Sequence, residues 1–223
     1  SLRLPSDVTV VQYADDTQLL VSGPKREIQR LVSSMENALS YVYDWFCHNG
    51  MKLNATKTQM LVLGTPAMLR TLPPVVVRFC GNVIADSREV KNLGVYLDRH
   101  LSYEAHVTYI SRKCTGILIG LLHVRHVIPR QTLKVIVEAL VMSIVRYCLS
   151  VYGSCGVTQL GRVQKIVNFC ARVVTGRRRY DHVSDALQQL RWLKADQLVV
   201  YRVCHTVCAL ARVIQTGQPD SLY

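Results

Sequence analysis

The stretch VTVVQYADDTQLLV, residues 8–21, decides the fold of the N-terminal part of the chain. Its two ends are rich in β-branched and aliphatic residues, which predicts two short strands joined by a tight turn at residues 13–16. Asp15 and Asp16 would then lie side by side at the tip of an apolar hairpin, where their charges repel each other. A hard divalent cation such as Mg²⁺, which takes oxygen ligands and shares them with substrate phosphates, would account for the pair.

The residues after this hairpin predict a long amphipathic helix. Ser22-Gly23-Pro24 ends the second strand, and Pro is well suited to the first turn of a helix. Asn49-Gly50 ends the helix near Cys47, because Gly is common just past a helix. Apolar residues recur between these signals at three- and four-residue spacing: Ile28, Leu31, Val32, Met35, Leu39, Val42 and Phe46.

The order of these motifs resembles the palm of non-LTR, jockey-like retrotransposon reverse transcriptases. The resemblance rests on Tyr-Ala-Asp-Asp at 13–16, the long helix with Trp45, and Gly-x-x-Leu-Asn-x-x-Lys-Thr at 50–58. It continues with Asn-Leu-Gly-Val-Tyr-Leu-Asp at 92–98. Thumb-like motifs then follow in the family's order: Tyr152-Gly153, Val163-Gln164-Lys165, Ala171-Arg172, Thr175-Gly176 and Leu190-Arg191-Trp192-Leu193. Tyr103 stands where the family usually has Trp, and no Trp follows Tyr152-Gly153.

The resemblance implies an α+β fold in two parts. Residues 1–100 would be the C-terminal part of a polymerase palm, with antiparallel strands and a long helix. Residues 101–223 would be an all-helical thumb with a C-terminal extension. The family's active site also needs a metal-binding Asp and a fingers region well upstream of the hairpin, and the chain begins at Ser1 without Met. We therefore expect a piece of a longer polyprotein, or of a decayed element, that is inactive alone.

The pattern predicts individual elements beyond the first helix. In the first part we expect a strand pair over about 51–63, a hairpin from Val75 turning at Gly81-Asn82, and one strand over Val90–Leu97. In the second part we expect helices at about 102–123, 129–149, 157–174, 182–190 and 195–214. The last helix is apolar on most faces, which indicates that it is buried or docks on something else.

The resemblance implies a role for each residue of the hairpin. Asp15 would ligate Mg²⁺, Asp16 would assist it or hold the hairpin, and two ions would clamp the reacting phosphate. Alternation along a strand predicts that Tyr13 and Asp15 share one face while Asp16 points to the other. Ala14 is small enough for close approach of the primer end.

Lys57 would lie near the leaving group, where a cation or proton donor offsets growing negative charge. A solvated lysine at the entrance of a strand is the alternative reading.

The positive charge is concentrated in the second part. Residues 1–100 contain 11 Lys or Arg and 9 Asp or Glu, whereas residues 101–223 contain 16 and 6. The surplus includes the run Arg177, Arg178 and Arg179, and it fits either a binder of phosphate backbones or a solvated, solubilising surface. With the palm motifs, we expect an RNA template and DNA primer, or an RNA–DNA duplex, as partners, together with the upstream half of the same polyprotein.

The cysteines and the apolar runs suggest neither a metal cluster nor a membrane span. None of the eight cysteines forms Cys-x-x-Cys, and several, such as Cys114 and Cys170, lie on apolar helix stripes. Cys204-His205-Cys208 lacks evident third and fourth ligands for zinc. No secretory signal or sufficiently long uncharged apolar run is seen, so we expect an intracellular protein, nuclear, cytoplasmic or both, without a membrane partner.

Three function classes remain open from the sequence. The chain is part of an RNA-directed DNA polymerase, a non-catalytic module that binds nucleic acid, or a remnant of a decayed transposable element. The adjoining genomic sequence would distinguish the first from the third, since an open frame with the missing Asp supports an enzyme.

Overall fold

Short antiparallel strand pairs and long helices make up residues 5–217, the part of the chain that the computed structural model describes. The α+β class predicted from the sequence is confirmed. The chain divides into two compact units. The N-terminal unit contains the residues up to Val90 and Asp98–His100, and the C-terminal unit contains Lys91–Leu97 and the residues from Leu101 onward.

The N-terminal unit is built from two hairpins and one long helix. β1 pairs antiparallel with β2, and β3 pairs antiparallel with β4. A 3₁₀ turn, Lys25–Glu27, leads into the long helix. The elements are β1 (Val8–Tyr13), β2 (Asp16–Val21), α1 (Ile28–His48), α2 (Pro66–Arg70), β3 (Val76–Phe79) and β4 (Asn82–Ala85).

Helix α1 holds the first hairpin in place. Asp7, just before β1, accepts hydrogen bonds from Arg30 Nη1 at 3.1 Å and from Ser34 Oγ at 2.8 Å. Gly23, just after β2, lies so close to α1 that an added Cβ would sit 2.9 Å from Leu31 Cδ2. Both ends of the hairpin are therefore fixed to the same face of the helix.

The same helix also carries the second hairpin. The backbone N–H of Arg78 donates to Glu36 Oε1 at 2.8 Å. The rings of Tyr43 and Phe79 meet edge to face with centroids 5.9 Å apart. Ala38 on α1 is completely buried. One helix thus organises the whole N-terminal unit.

The strand pair predicted over 51–63 does not form in the described structure. Met60 makes a single parallel bridge to Asp86, and residues 51–59 contain no strand. The Asn54 side chain accepts from the backbone N–H of Thr56 at 3.0 Å and from its hydroxyl at 2.6 Å. Such local side-chain bonds offer the backbone an alternative to a strand ladder, which accounts for the difference.

A hairpin leads from one unit to the other. The sequence predicted one strand over Val90–Leu97, but the structure has two, β5 (Glu89–Asn92) and β6 (Val95–Asp98), in a two-stranded sheet. The chain reverses at Leu93 and Gly94, with φ of 43° and 83°. Gly94 adopts this left-handed conformation at little cost, so the glycine of the motif serves a turn rather than a strand.

The C-terminal unit is helical. The helix predicted to follow Pro129 is interrupted, because a π-helical segment, Glu138–Met142, and an extended Tyr147 divide it. The other predicted helices form within a few residues of their expected bounds. They are α3 (Glu104–Val124), α4 (Arg130–Val137), α5 (Ser143–Arg146), α6 (Leu149–Tyr152), α7 (Val157–Thr175), α8 (Ser184–Leu190) and α9 (Ala195–Thr216).

The core of this unit lies between α3 and α7. Helix α3 contributes Ile110 and Leu118, and α7 contributes Val163 and Val167, all almost fully buried. Gly176 ends α7 with φ of 73°, as the Thr175-Gly176 motif predicts. Because one face of each helix is buried in this core, apolar residues recur along it at helical spacing, and both helices could be predicted from the sequence.

The Tyr152-Gly153 motif marks a close approach of two helices. Tyr152 is fully buried, and its hydroxyl donates to the Val145 carbonyl. A Cβ at Gly153 would lie 2.8 Å from the Val199 side chain of α9. Glycine is required here because any side chain would push α9 away.

His106 is the one buried polar residue among residues 5–217. It is 2% exposed, and its ring lies edge to face against Tyr152 with centroids 4.8 Å apart. Nδ1 lies 3.5 Å from the backbone N–H of Tyr96, and Nε2 has no hydrogen-bond partner. Burial lowers the pKa of His106 below its ordinary value of 6.5, so the ring stays neutral in the folded protein.

We expect the free energy of unfolding to fall as the pH drops below 6.5, the ordinary pKa of His106. Below this pH the histidine binds a proton in the unfolded chain but not in the folded one. The free energy of unfolding therefore falls by up to about 1.4 kcal/mol per pH unit until the pKa of the folded state is reached. The contribution of the neutral His106 ring to stability is fully present above pH 6.5. His106→Gln should flatten this dependence in urea unfolding between pH 7 and pH 5, whereas His126→Gln, at an exposed histidine, should retain it. An unchanged slope in His106→Gln would contradict the assignment.

Helix α9 is mostly exposed beyond its first turn. Ala195 and Leu198 are its buried residues, so the alternative that this apolar helix is buried within the described chain is wrong. By length and composition alone, the stretch Ser184–Thr216 could cross a membrane, which corrects the expectation that no segment is long enough. The stretch consists of two helices, α8 and α9, because Arg191 with φ of 56° separates them.

Candidate functional site

The two acidic residues lie at the tip of the first hairpin. Tyr13 pairs with Asp16 across the strands, so Ala14 and Asp15 form a two-residue turn. Ala14 has φ of 51°, a conformation that costs an L-residue with a side chain roughly 1–2 kcal/mol. Gln12 Nε2 approaches the Ala14 carbonyl at 3.5 Å. The hairpin predicted from the sequence is confirmed, and its turn is tight.

The turn changes which side chains share a face. Residues directly opposite each other in an antiparallel pair point to the same side, so Tyr13 and Asp16 share a face. Asp15 lies on the turn itself. The prediction that Asp16 points away from the face of Tyr13 was wrong, because strand alternation stops where the chain reverses.

The exposure of the tip leaves both carboxylates accessible. Asp15, Asp16 and Ala14 are exposed, and Tyr13 is 66% exposed. Adjacent carboxylates supply the hard oxygen ligands that Mg²⁺ prefers, and such a site normally takes one or two from the protein and the rest from phosphates and water. The donor set therefore fits the cation. Over residues 5–217, no three His, Cys, Asp or Glu side chains converge as a metal site.

Lys57 lies on a separate turn of the N-terminal unit. Its backbone N–H donates to the Asn54 carbonyl at 3.1 Å, and its side chain is exposed. Within the described residues, no hydrogen bond or ion pair links it to Asp15 or Asp16. Its predicted role beside the leaving group stays a prediction.

The three arginines of the predicted binding run have different surroundings. The guanidinium of Arg177 forms a bidentate ion pair with Asp185, with Nη1 2.6 Å from Oδ1. A hydrogen bond from Arg177 lowers the pKa of Asp185 to about 2, and the same bond raises the pKa of Arg177. Arg178 and Arg179 are exposed, and the Arg179 guanidinium lies 5.6 Å from the ring of Tyr180. Arg177 is thus committed to the start of α8, whereas the other two face solvent.

A basic and aromatic cluster was missed by the sequence reasoning. Tyr96 and Tyr109 lie with ring centroids 5.2 Å apart. Lys91 Nζ lies 5.7 Å and 5.9 Å from these two centroids, and Lys113 Nζ lies 6.0 Å from that of Tyr109. The four-residue spacing of Tyr109 and Lys113 on one helix was the available signal. The partners on the β5–β6 hairpin could not be foreseen, because that segment was predicted as a single strand.

The cysteines divide between core and surface. Cys114 and Cys170 are fully buried, as their place on apolar stripes predicted. Burial raises the pKa of Cys114 to about 11 and raises that of Cys170, so both thiols stay protonated at neutral pH. Cys204 and Cys208 are exposed on α9.

Comparison with known proteins identifies the class. Residues 1–97 match the family model described as reverse transcriptase (RNA-dependent DNA polymerase). The chain is 24% identical over 182 residues to an RNA-directed DNA polymerase from mobile element jockey of Drosophila funebris, and the match covers 80% of this chain and 19% of that protein. The counterpart from Drosophila melanogaster is 24% identical over 190 residues, covering 83% and 20%.

A third relative agrees with these two. It is a probable RNA-directed DNA polymerase from transposon BS of Drosophila melanogaster, 23% identical over 176 residues, covering 77% of this chain and 19% of the relative. No solved structure matches the chain significantly. The chain spans about a fifth of the length of these relatives.

Residues 1–97, which hold the acidic hairpin, therefore belong to the reverse transcriptase family. Over about four fifths of its length the chain is similar to the RNA-directed DNA polymerases of the jockey and BS transposons, which confirms the resemblance recognised in the sequence. The matches give no support to the alternative of a non-catalytic remnant.

Proposed function

We propose that this chain forms the C-terminal palm and the thumb of an RNA-directed DNA polymerase, which copies an RNA template by extending a DNA primer. The carrying observation is the pair of exposed carboxylates, Asp15 and Asp16, at the tip of a hairpin anchored to α1. The N-terminal unit supplies part of the active site, and the C-terminal unit holds the RNA–DNA duplex.

Asp15 and Asp16 would hold the divalent cation, which supplies charge stabilisation to the transferred phosphate when bound. Asp15 lies on the turn, and Asp16 starts β2 opposite Tyr13. Ala14 keeps the turn narrow beside the primer end, and Tyr13 offers an exposed ring on the face of Asp16. Lys57 serves as a cation near the leaving group, a role that still requires its turn to face the hairpin tip.

The hairpin also indicates that the site is shared with another part of the parent protein. β1 and β2 form a sheet of two strands, and its apolar residues Val11 and Leu20 are 53% and 55% exposed. A two-stranded hairpin is marginal by itself and is normally supported by further strands or by packing. We infer that the upstream half of the polyprotein covers this hairpin and brings the additional metal-binding Asp.

The C-terminal unit has the chemistry of a surface that binds a phosphate backbone. Residues 101–223 carry 16 Lys or Arg against 6 Asp or Glu. The exposed Arg178 and Arg179 and the Lys–Tyr cluster around Tyr109 supply cations together with aromatic rings. Clustered cations hold a duplex by its phosphates without reading its sequence.

We expect the 223-residue chain alone to incorporate no nucleotide on a poly(rA) template with an oligo(dT) primer and Mg²⁺. Two carboxylates at an uncovered hairpin cannot hold both the ions and the incoming nucleotide. The same chain fused in frame to its genomic upstream half should extend the primer. Robust synthesis by the chain alone would overturn the proposed division of the site, and an inactive fusion that folds would argue against the enzymatic function.

A further inference from the structure

The exposed part of α9 carries a regular apolar stripe. Five large aliphatic side chains face solvent along it, although side chains of this size are usually buried. We call them the α9 stripe: Val200, Val203, Val207, Leu210 and Ile214, exposed by 62%, 40%, 57%, 57% and 83%. The helix is anchored at its start, where Val199 packs against the core of the C-terminal unit.

The spacing of the stripe is that of a coiled-coil seam. Its members follow one another at intervals of three, four, three and four residues, which keeps them on one narrow face over two heptads. One set of alternate positions holds Val200, Val207 and Ile214, all β-branched, and the other holds Val203 and Leu210. β-Branched residues at the first core position, with Leu at the second, favour two helices over higher assemblies, and the heptad that contains Val207 and Leu210 has this pair.

The charges around the stripe fit an identical partner. The positions that flank the seam are uncharged: Val199, Thr206 and Val213 on one side, and Cys204 and Ala211 on the other. A different helix would normally be selected by charges at these flanks, and two like copies would be kept apart by them. His205 and Arg212 lie on the face opposite the stripe, so pairing of two copies brings no like charges together at the seam.

We propose that two copies of this chain pair through the α9 stripe, helix against helix, about a two-fold axis. A self-complementary patch closes after two copies, as in most symmetric dimers. The seam is short, so it belongs to the small end of the interface range, and we expect a dissociation constant on the order of micromolar. The proposal does not rest on the polymerase function.

Salt distinguishes this pairing from association bridged by nucleic acid. Residues 101–223 of each copy have a formal surplus of positive charge, with 16 basic and 6 acidic residues, so two copies repel at long range. Screening at higher salt therefore strengthens an apolar dimer. The same salt weakens any assembly held together by bound nucleic acid.

The test is sedimentation equilibrium of the nuclease-treated full chain at 5–100 µM and at two salt concentrations. Wild type should approach twice 25.2 kDa, the mass of one chain, and more so at high salt. Val207→Glu with Leu210→Glu should raise the dissociation constant at least about tenfold, because it places charges in the seam. The matched control is His205→Glu with Arg212→Gln, which makes the same change in formal charge on the opposite face and should dimerise like wild type.

Several results would overturn the proposal. A wild-type mass of 25.2 kDa at every concentration would exclude the dimer. Equal weakening of the dimer by both double variants would show that the α9 stripe is not its interface. Loss of the dimer with rising salt would point to bridging instead. Flotation of a monomeric wild type, but not of the Val207→Glu/Leu210→Glu variant, with phosphatidylcholine vesicles would assign the stripe to a lipid surface. Circular dichroism of each variant establishes that α9 remains helical.

Discussion

Replacing Asp15 with Asn in the fused, complete polymerase is expected to reduce primer extension by roughly 100-fold to 1000-fold. The substitution keeps the size of the side chain and removes the negative charge that would hold the cation, and single groups that stabilise transition-state charge are worth about 10²–10³ in rate. Asp16→Asn should have a smaller effect, because Asp16 belongs to β2 and pairs across the hairpin with Tyr13. The measurement is the initial rate of deoxynucleotide incorporation at saturating template and primer.

The matched control for Asp15 is Asp44→Asn. Asp44 is an exposed carboxylate on α1 in the same unit, so its substitution makes the same chemical change away from the hairpin. It should leave the rate within about twofold of the parent, as surface substitutions rarely matter. Equal losses in both variants, or full activity of Asp15→Asn, would show that the hairpin tip is not the metal site.

The elements that begin or end at Pro or Gly residues could be predicted from the sequence. Pro24 and Gly50 bound α1, and Gly176 bounds α7. The turn between β3 and β4 is formed by Cys80 and Gly81, one residue earlier than predicted, because Asn82 already pairs with Phe79. In these segments the apolar period and the turn residues agree, so local chemistry determines the element. The acidic pair was likewise visible, because its position between two strands depends on neighbours in the sequence.

The elements determined by distant contacts could not be predicted. The helix after Pro129 breaks at Tyr147, whose hydroxyl donates to the Leu93 carbonyl at 2.7 Å, 54 residues away. Cys148 then adopts φ of 52°, and no Gly or Pro next to it indicates this break in the sequence. The Arg177–Asp185 pair is also invisible in the sequence, where Arg177 reads like its two neighbours. Tertiary packing overrides local preference in each case.

The Arg177–Asp185 ion pair leads to the second prediction: the exposed Arg178 and Arg179 contact phosphates, whereas Arg177 does not. If a protein neutralises Z phosphates of a duplex, the logarithm of its binding constant falls with the logarithm of salt at a slope near −0.9Z. Arg178→Ala with Arg179→Ala should make this slope shallower by roughly one unit per lost contact, and should weaken unrelated duplexes equally. The effect on affinity is large at low salt and shrinks as salt rises.

Arg177→Ala is the matched control, because it removes a charge from the same run. Its guanidinium is already bound to Asp185, so the slope should stay that of wild type while the anchoring of α8 weakens. The measurement is fluorescence anisotropy of the full chain with two unrelated RNA–DNA duplexes at five salt concentrations, after circular dichroism has verified folding. Equal flattening per removed charge in both variants would mean that the run acts through net charge alone, and no flattening in either would make it a solvated loop. A shallower slope in Arg178→Ala/Arg179→Ala alone would assign the two exposed arginines to the duplex, because, per charge removed, the variants differ in whether the lost guanidinium was already paired.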